Sequence, residues 1–314
     1  MGEENTRETK KTNQENREKG EIRQMSEYKI IKSYREDDSL RHSFCQLAHK
    51  TFYLDFENWY QNGFWTEQYN PYSILKDGEV IANVSVNELK FMLDGEEKRF
   101  VQIGTVMTDE SYRKQGLCRM IMEQVEEEYK DWDGIYLFAN DFANPMYRKL
   151  GYIEQEQYYF KKEVSIAGGA TAEQVSMETK EDWAKFVDVI ENSTWKNSRF
   201  TMIGNAQLRM FYLSTIMKEN VFYIPDQDAF AVAEIEGDKL ILHEVFSMNE
   251  VDLDEVIEAF GEQVKFVQLG FTPVNKEGYE EEIYKEEDST LFVKGRFLER
   301  FTEKKLLFPL LSHA

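Results

Sequence analysis

Arg113-Lys114-Gln115-Gly116-Leu117-Cys118-Arg119, followed downstream by Asn140-Asp141-Phe142-Ala143-Asn144-Pro145-Met146-Tyr147 and closed by Gly151-Tyr152, decides how this chain is read. The first run is a turn with one glycine, set between an extended segment and a helix. At a helix start the first amide N–H groups lack partners and the peptide dipoles add partial positive charge, so phosphates bind there. Gly116 lets a ligand approach the backbone, Arg113 and Arg119 bracket the turn with charge, and Lys114, Gln115, Leu117 and Cys118 complete it. Val106 and Met107 end the preceding strand, where free backbone groups can pair with the amides of a ligand. Taken alone, the turn reads equally as an ordinary strand-to-helix connection.

Outward from it, Val80–Leu93 and Lys98–Thr108 have the composition of strands joined by Asp94-Gly95, and Tyr72–Leu75 precedes them across Asp77-Gly78. Phe44, Leu47, Phe52, Phe56, Trp59 and Tyr60 recur at helical steps, which predicts one or two amphipathic helices between Asp37 and Phe64. Leu117, Ile121, Val125 and Tyr129 form the apolar stripe of a helix reaching Trp132, and Ile135–Ala139 is a short buried strand. Asn144 suits an N-cap, Pro145 a first helical position and Gly151 the left-handed residue after a brief helix. Tyr152–Lys162 then returns as a strand. The order predicts a mixed α/β layer architecture.

The 314 residues suffice for two ordinary domains, and 41% hydrophobic with 14% aromatic residues supply their cores. A net charge of −21 argues against nucleic acid as a partner, because phosphate backbones need clustered Lys and Arg. The acidity suits a cationic acceptor such as an amine, and equally a well-solvated surface. No apolar run approaches the roughly 20 residues that cross a bilayer, and the N-terminus lacks the apolar core of a secretory signal. No membrane partner and a cytoplasmic location are therefore expected. Cys45 and Cys118 match no metal spacing, so reduced thiols and no metal are expected. Residues 1–24 are almost all polar or charged and are expected to be a disordered tail, with Met25 as an alternative start. A domain over 25–164, a small flexible linker over 165–171 and a second domain over 172–314 follow.

The paired motifs resemble those of the GNAT superfamily of acyl-CoA N-acyltransferases. In that family the phosphate turn is Gln or Arg, two residues, Gly, one residue, Gly or Ala; here Arg113 and Gly116 match and Cys118 departs in the last small position. The family's next motif is met by Asn140, Ala143, Tyr147, Gly151 and Tyr152, at the expected distance. The resemblance covers about residues 27 to 163 and implies acetyl-CoA as co-substrate, with no metal and a small-molecule or peptide amine as acceptor. It implies that Asn140 lies near the cofactor and that Tyr147 is the general acid, since a phenol of pKa about 10 can protonate a leaving thiolate at neutral pH. Many members carry a Glu as base on the fourth strand, where this chain has Gln102, an amide that cannot take the proton. Loss of the amine's proton through water, to a carboxylate such as Glu88 or before binding, or to His313 or the carboxylate of Ala314, are the alternatives. Asn83, Ser85 and Asn87 line either an acceptor cleft or a solvated strand face. Trp59, Tyr60, Trp65 and Tyr69 form either an acceptor wall or core packing.

Residues 172–314 loosely repeat the plan. Helices are expected over 180–220, strands at Phe222–Ile224, Ala229–Ile235, Lys239–Phe246, Phe266–Phe271 and Thr290–Val293, and a helix at Leu253–Gln263. Ser247-Met248-Asn249-Glu250-Val251-Asp252 replaces the phosphate turn without a glycine and with two carboxylates, and Thr272-Pro273 replaces the asparagine. A degenerate GNAT-like copy, inactive for cofactor binding, is the expectation. The alternative to catalysis is an acyl-CoA sensor that keeps the pocket and binds a partner. Oligomeric state is not readable here.

Overall fold

The computed structural model describes residues 28–195 and 197–313. The tail, Met25 and the Ala314 carboxylate lie outside the described residues. In chain order the elements are β1 (Ile30–Ile31), α1 (Asp38–Phe52), α2 (Glu57–Gln61), β2 (Tyr69–Lys76), β3 (Glu79–Leu93), β4 (Glu96–Thr108), α3 (Leu117–Glu128), β5 (Gly134–Ala139), α4 (Asn144–Lys149), β6 (Ile153–Glu154) and β7 (Gln157–Glu163). There follow β8 (Glu173–Gln174), α5 (Lys180–Asn192), β9 (Phe200–Met202), α6 (Ala206–Leu213), β10 (Val221–Ile224), β11 (Ala229–Glu236), β12 (Lys239–Phe246), α7 (Leu253–Glu258), β13 (Phe266–Leu269), β14 (Glu280–Tyr284), β15 (Thr290–Lys294) and α8 (Phe301–Lys304). The mixed α/β class is as expected. Asp77-Gly78 and Asp94-Gly95 turn their hairpins with both residues at positive φ, the geometry that matches strand twist.

The chain forms two compact units, and β3 and β4 run through both. The first holds the chain through Glu57, Tyr69–Val86 and Thr105–Lys130. Here α1 starts on Asp37, whose carboxylate accepts from the N–H groups of Ser39 and Leu40. It buries Phe44 and Leu47, and Phe44 meets Phe56 edge-on at 5.2 Å. Phe56 in turn stacks on Tyr69 at 5.5 Å. The stripe Leu117, Ile121 and Val125 is buried, as its spacing predicts.

The second unit holds Asn58–Gln68, Asn87–Gly104 and the chain from Asp131 onward. Its strands fall into two sheets. One sheet runs β3-β4-β5-β15-β6 with β9 also on β3, and the other runs β14-β7-β13-β12-β11-β10-β8. The expected single strand Tyr152–Lys162 is thus two strands that part company. β6 pairs with β15, whereas β7 pairs with β13 and β14. β15, from near the chain's end, inserts antiparallel between β5 and β6. The two halves of the sequence have exchanged strands. The expected helical stretch 180–220 is also interrupted, by β9, and β14 is an addition.

Each sheet has a large apolar face. Phe91, Phe100, Tyr136, Phe200, Val293, Phe301 and Phe308 cluster on the first, with Phe91 stacked on Phe200 at 4.6 Å. Leu240, Leu242, Val256, Val267, Leu269 and Phe271 belong to the core of the second. Trp59, Trp65 and Tyr69 are buried and Tyr60 is half-buried. Trp59 donates through Nε1 to the Gln207 carbonyl at 2.9 Å.

Candidate active site

In the first unit, β4 ends in a kink. Thr105 has φ +47°, a left-handed conformation that a β-branched residue rarely takes. It is held from two sides: Asn83 Nδ2 donates to its carbonyl at 2.9 Å, and the Tyr69 and Thr105 hydroxyls lie 3.0 Å apart. Asn83 also accepts from Ser73 Oγ at 2.8 Å and donates to Ser85 Oγ at 2.9 Å. Asn83, Ser85 and Asn87 are therefore no solvated face, since all three are buried. The polar alternation in β3 serves an internal network that satisfies itself, as buried polar groups must. Thr105 went unnoticed in the sequence because no glycine marks it.

The turn after β4 bends through Lys114 at φ +64° and Gly116 at φ +78° into α3. Gly116 is the N-cap, and no side chain caps this helix, whose first turn carries no acidic residue. The longer helices α1 and α5 are capped by Asp37 and Thr179. The first helical bond here runs from Met120 N–H to the Gly116 carbonyl at 3.0 Å. The amides of Leu117, Cys118 and Arg119 thus precede any intrahelical partner. Among the described residues, no atom beyond the chain neighbours and the helix's own backbone lies within 4 Å of where a Cβ on Gly116 would stand, so the approach is open. These features fit a phosphate group.

The flanking residues are placed less uniformly. Val106 is half-buried and Met107 buried. Cys118, half-buried, sits with Sγ 2.9 Å from Thr108 Oγ1 and 3.5 Å from the Met107 carbonyl, and burial pushes its thiol pKa up. Its small side chain therefore ties the turn back to the end of β4. Arg113 and Arg119 are exposed and meet acids of their own, Glu110 at 3.5 Å and Glu123 at 2.8 Å. Gln115 Oε1 accepts from the Tyr28 hydroxyl at 3.4 Å.

In the second unit, Asn140 ends β5 and builds the entry to α4, its Oδ1 accepting from Ala143 N–H at 3.0 Å. The N-cap is Ala143, not Asn144, because Asn144 has turned inward. It is buried, with Nδ2 3.3 Å from both Asp141 Oδ1 and Thr290 Oγ1. Tyr147 is buried on α4, edge-on to Tyr152 at 6.0 Å and against Phe292 of β15 at 5.7 Å. Gly151 takes φ +84°, the expected left-handed exit. Gln102 is fully buried in β4, where it accepts from Asn87 Nδ2 at 2.7 Å and donates to the Ile103 carbonyl at 2.8 Å. His313 stacks on Phe138 of β5 at 3.7 Å, and burial holds its imidazole down to about 3. An imidazole so reluctant to take a proton is a weak base.

β4 and β5 are parallel and in register over four pairs, from Phe100–Gly134 to Ile103–Leu137. β12 and β13 repeat this, from Lys239–Phe266 to Leu242–Leu269. Past that point the chain fills the second gap itself. Thr194 N–H donates to the Ser247 carbonyl at 2.8 Å, Arg199 N–H to the Thr272 carbonyl at 2.8 Å, and Val274 N–H to the Asn197 carbonyl at 2.9 Å. Among the described residues no group of three or more His, Cys, Asp or Glu is placed to hold a metal, and no helix is long and apolar enough to cross a membrane.

Residues 30–152 match the model of the acetyltransferase (GNAT) family. The fold recurs in a conserved protein of unknown function from Enterococcus faecalis V583, described as a probable N-acyltransferase, at 15% identity and a TM-score of 0.57, covering 88% of this chain and 75% of that one. It recurs in a GCN5-related N-acetyltransferase from Kribbella flavida (15%, TM-score 0.52, 85% and 70%) and in another from Anabaena variabilis ATCC 29413 (13%, 0.52, 85% and 72%). At such identities the likeness is one of fold. No curated protein matches the chain.

Proposed function

We propose that the protein transfers an acetyl group from acetyl-CoA to a primary amine of a small molecule or peptide, by direct attack on the thioester. The observation that carries this is the uncapped start of α3 at Gly116, beside the kinked end of β4. In this reading the amides of Leu117, Cys118 and Arg119, with Arg113, Lys114 and Gln115, hold the pyrophosphate. Val106 and Met107 offer backbone groups to the pantetheine, Asn140 shapes the site, and Tyr147 gives its phenolic proton to the leaving sulfur. The amine loses its proton through water, as Gln102 cannot accept it. Residues 172–314 are read as a degenerate copy that binds no cofactor, consistent with the segment that fills its strand gap.

The test is thiol release from acetyl-CoA with a panel of primary amines, comparing the protein with Tyr147→Phe. Turnover should fall by roughly 100-fold or more while the KM for acetyl-CoA stays put. Equal turnover removes Tyr147 from its role. The buried amide at Gln102 favours one second reading, an acyl-CoA sensor, and acetyl-CoA binding without thiol release for any amine would support it.

A further inference from the structure

Beside the segment that fills the gap between β12 and β13 lies a cavity of about 760 Å³ within the second unit. Ile190, Trp195, Met202, Ile203, Phe246 and Val274 supply its apolar lining. This is the size and character of a site for a drug-sized molecule. Trp195 meets Phe271 edge-on at 4.9 Å, and its Nε1 is buried with no hydrogen-bond partner among the described residues. A buried N–H is almost always paired, so its isolation calls for an acceptor.

The charges narrow the class of that acceptor. Two guanidinium groups line the cavity, and each is already matched. Arg199 binds Asp94 through Nε at 2.8 Å and Nη2 at 3.1 Å, with Lys304 also 3.5 Å from that carboxylate. Arg209, fully buried, binds Glu244 through Nε at 2.9 Å and Nη2 at 2.8 Å, and its Nη2 also donates to the Met202 carbonyl at 3.0 Å. Glu191, the remaining acid of the lining, accepts from Ala206 N–H at 2.6 Å. Among the described residues of the lining, each guanidinium thus already has a carboxylate partner, and neither is bare to receive an anion in an apolar setting.

We infer that this cavity binds a neutral, mainly apolar small molecule carrying a hydrogen-bond acceptor, such as a carbonyl, for Trp195 Nε1. The site is separate from acyl transfer and stands or falls without it. Nile red, a neutral apolar dye with a carbonyl, is the probe, titrated into the full chain and followed by its fluorescence. One saturable site is expected. Ile203→Trp fills the cavity, Trp195→Phe keeps a ring but removes the N–H, and Val274→Glu puts a charge at the exposed rim without touching the core. Each should weaken binding at least tenfold, and anilinonaphthalene sulfonate, an anion, should bind the unaltered protein at least tenfold more weakly than Nile red. Absence of saturable Nile red binding, affinity unchanged in Trp195→Phe and Val274→Glu, or equal affinity for the anionic dye would each overturn the inference.

Discussion

Asn87 Nδ2 donates to Gln102 Oε1 at 2.7 Å in the buried interior between β3 and β4. The pair fixes on β4 an amide, a group that cannot take a proton at neutral pH. Gln102→Leu takes this acceptor from Asn87 and should lower stability by about 1–3 kcal/mol, the cost of orphaning a buried donor. The double variant Asn87→Leu/Gln102→Leu should recover part of that loss. Urea denaturation midpoints of the three proteins decide it, and a double variant weaker than the sum of the singles would contradict the pairing.

Gly116 sits at φ +78° with open space around it, so a side chain there meets conformational strain and no collision. Gly116→Ala should cost about 1 kcal/mol in stability. Gly116→Glu should cost a similar amount and also abolish acetyl-CoA binding, because its carboxylate would stand where phosphate oxygens are proposed to lie. Calorimetric titration with acetyl-CoA, beside thermal unfolding, separates the two effects. Undiminished binding by the Glu variant would place the cofactor elsewhere.

The strained carbonyl of Thr105 depends on Asn83. Asn83→Leu should destabilise the protein by roughly 1–3 kcal/mol and speed amide hydrogen exchange at the end of β4. Thr105→Gly in the same background relieves the left-handed strain and should restore some of the loss. Exchange rates unaltered by Asn83→Leu would show that the kink holds itself.

His313 gives a pH dependence whose sign is fixed. Burial is the main cause of its lowered pKa, about 3 in the folded chain against an ordinary 6.5, and a backbone contact from Phe308 opposes it. Between those two values the unfolded chain carries a proton that the folded chain refuses, so stability falls as pH drops from 6.5 toward 3. His313→Phe keeps an aromatic ring against Phe138 and should flatten that slope by up to about 1.4 kcal/mol per pH unit. Denaturation midpoints between about pH 7 and pH 4.5 check this; parallel profiles for the two proteins would mean the ring is solvated.

Local chemistry was legible in the sequence wherever one residue type dictates one conformation. Asp77-Gly78, Asp94-Gly95, Gly116 and Gly151 all take the positive φ their settings imply. The helical stripe of α3 was readable because apolar residues at three- and four-residue steps reach one face only when the backbone is a helix. Asn83, Ser85 and Asn87 misled, since a polar alternation looks the same whether water or a buried network satisfies it. The parting of β6 from β7 could not be read either. Strand pairing between segments far apart in the chain, as of β7 with β13 and β15 with β5, leaves no local mark. Asn144 failed as a cap because its amide found Thr290, on a strand from the far end of the chain.

The exchange of β7 and β15 sets a schedule for the newborn chain. β5 and β6 leave the ribosome early, yet the strand that must lie between them is β15, which arrives only after most of the second half has been made. At roughly 5–20 residues per second that interval is on the order of ten seconds. Through it, β5 and β6 offer unpaired edges with only non-native strands to hand. Those seconds are when the chain is most exposed to wrong partners, and when a chaperone has most to guard.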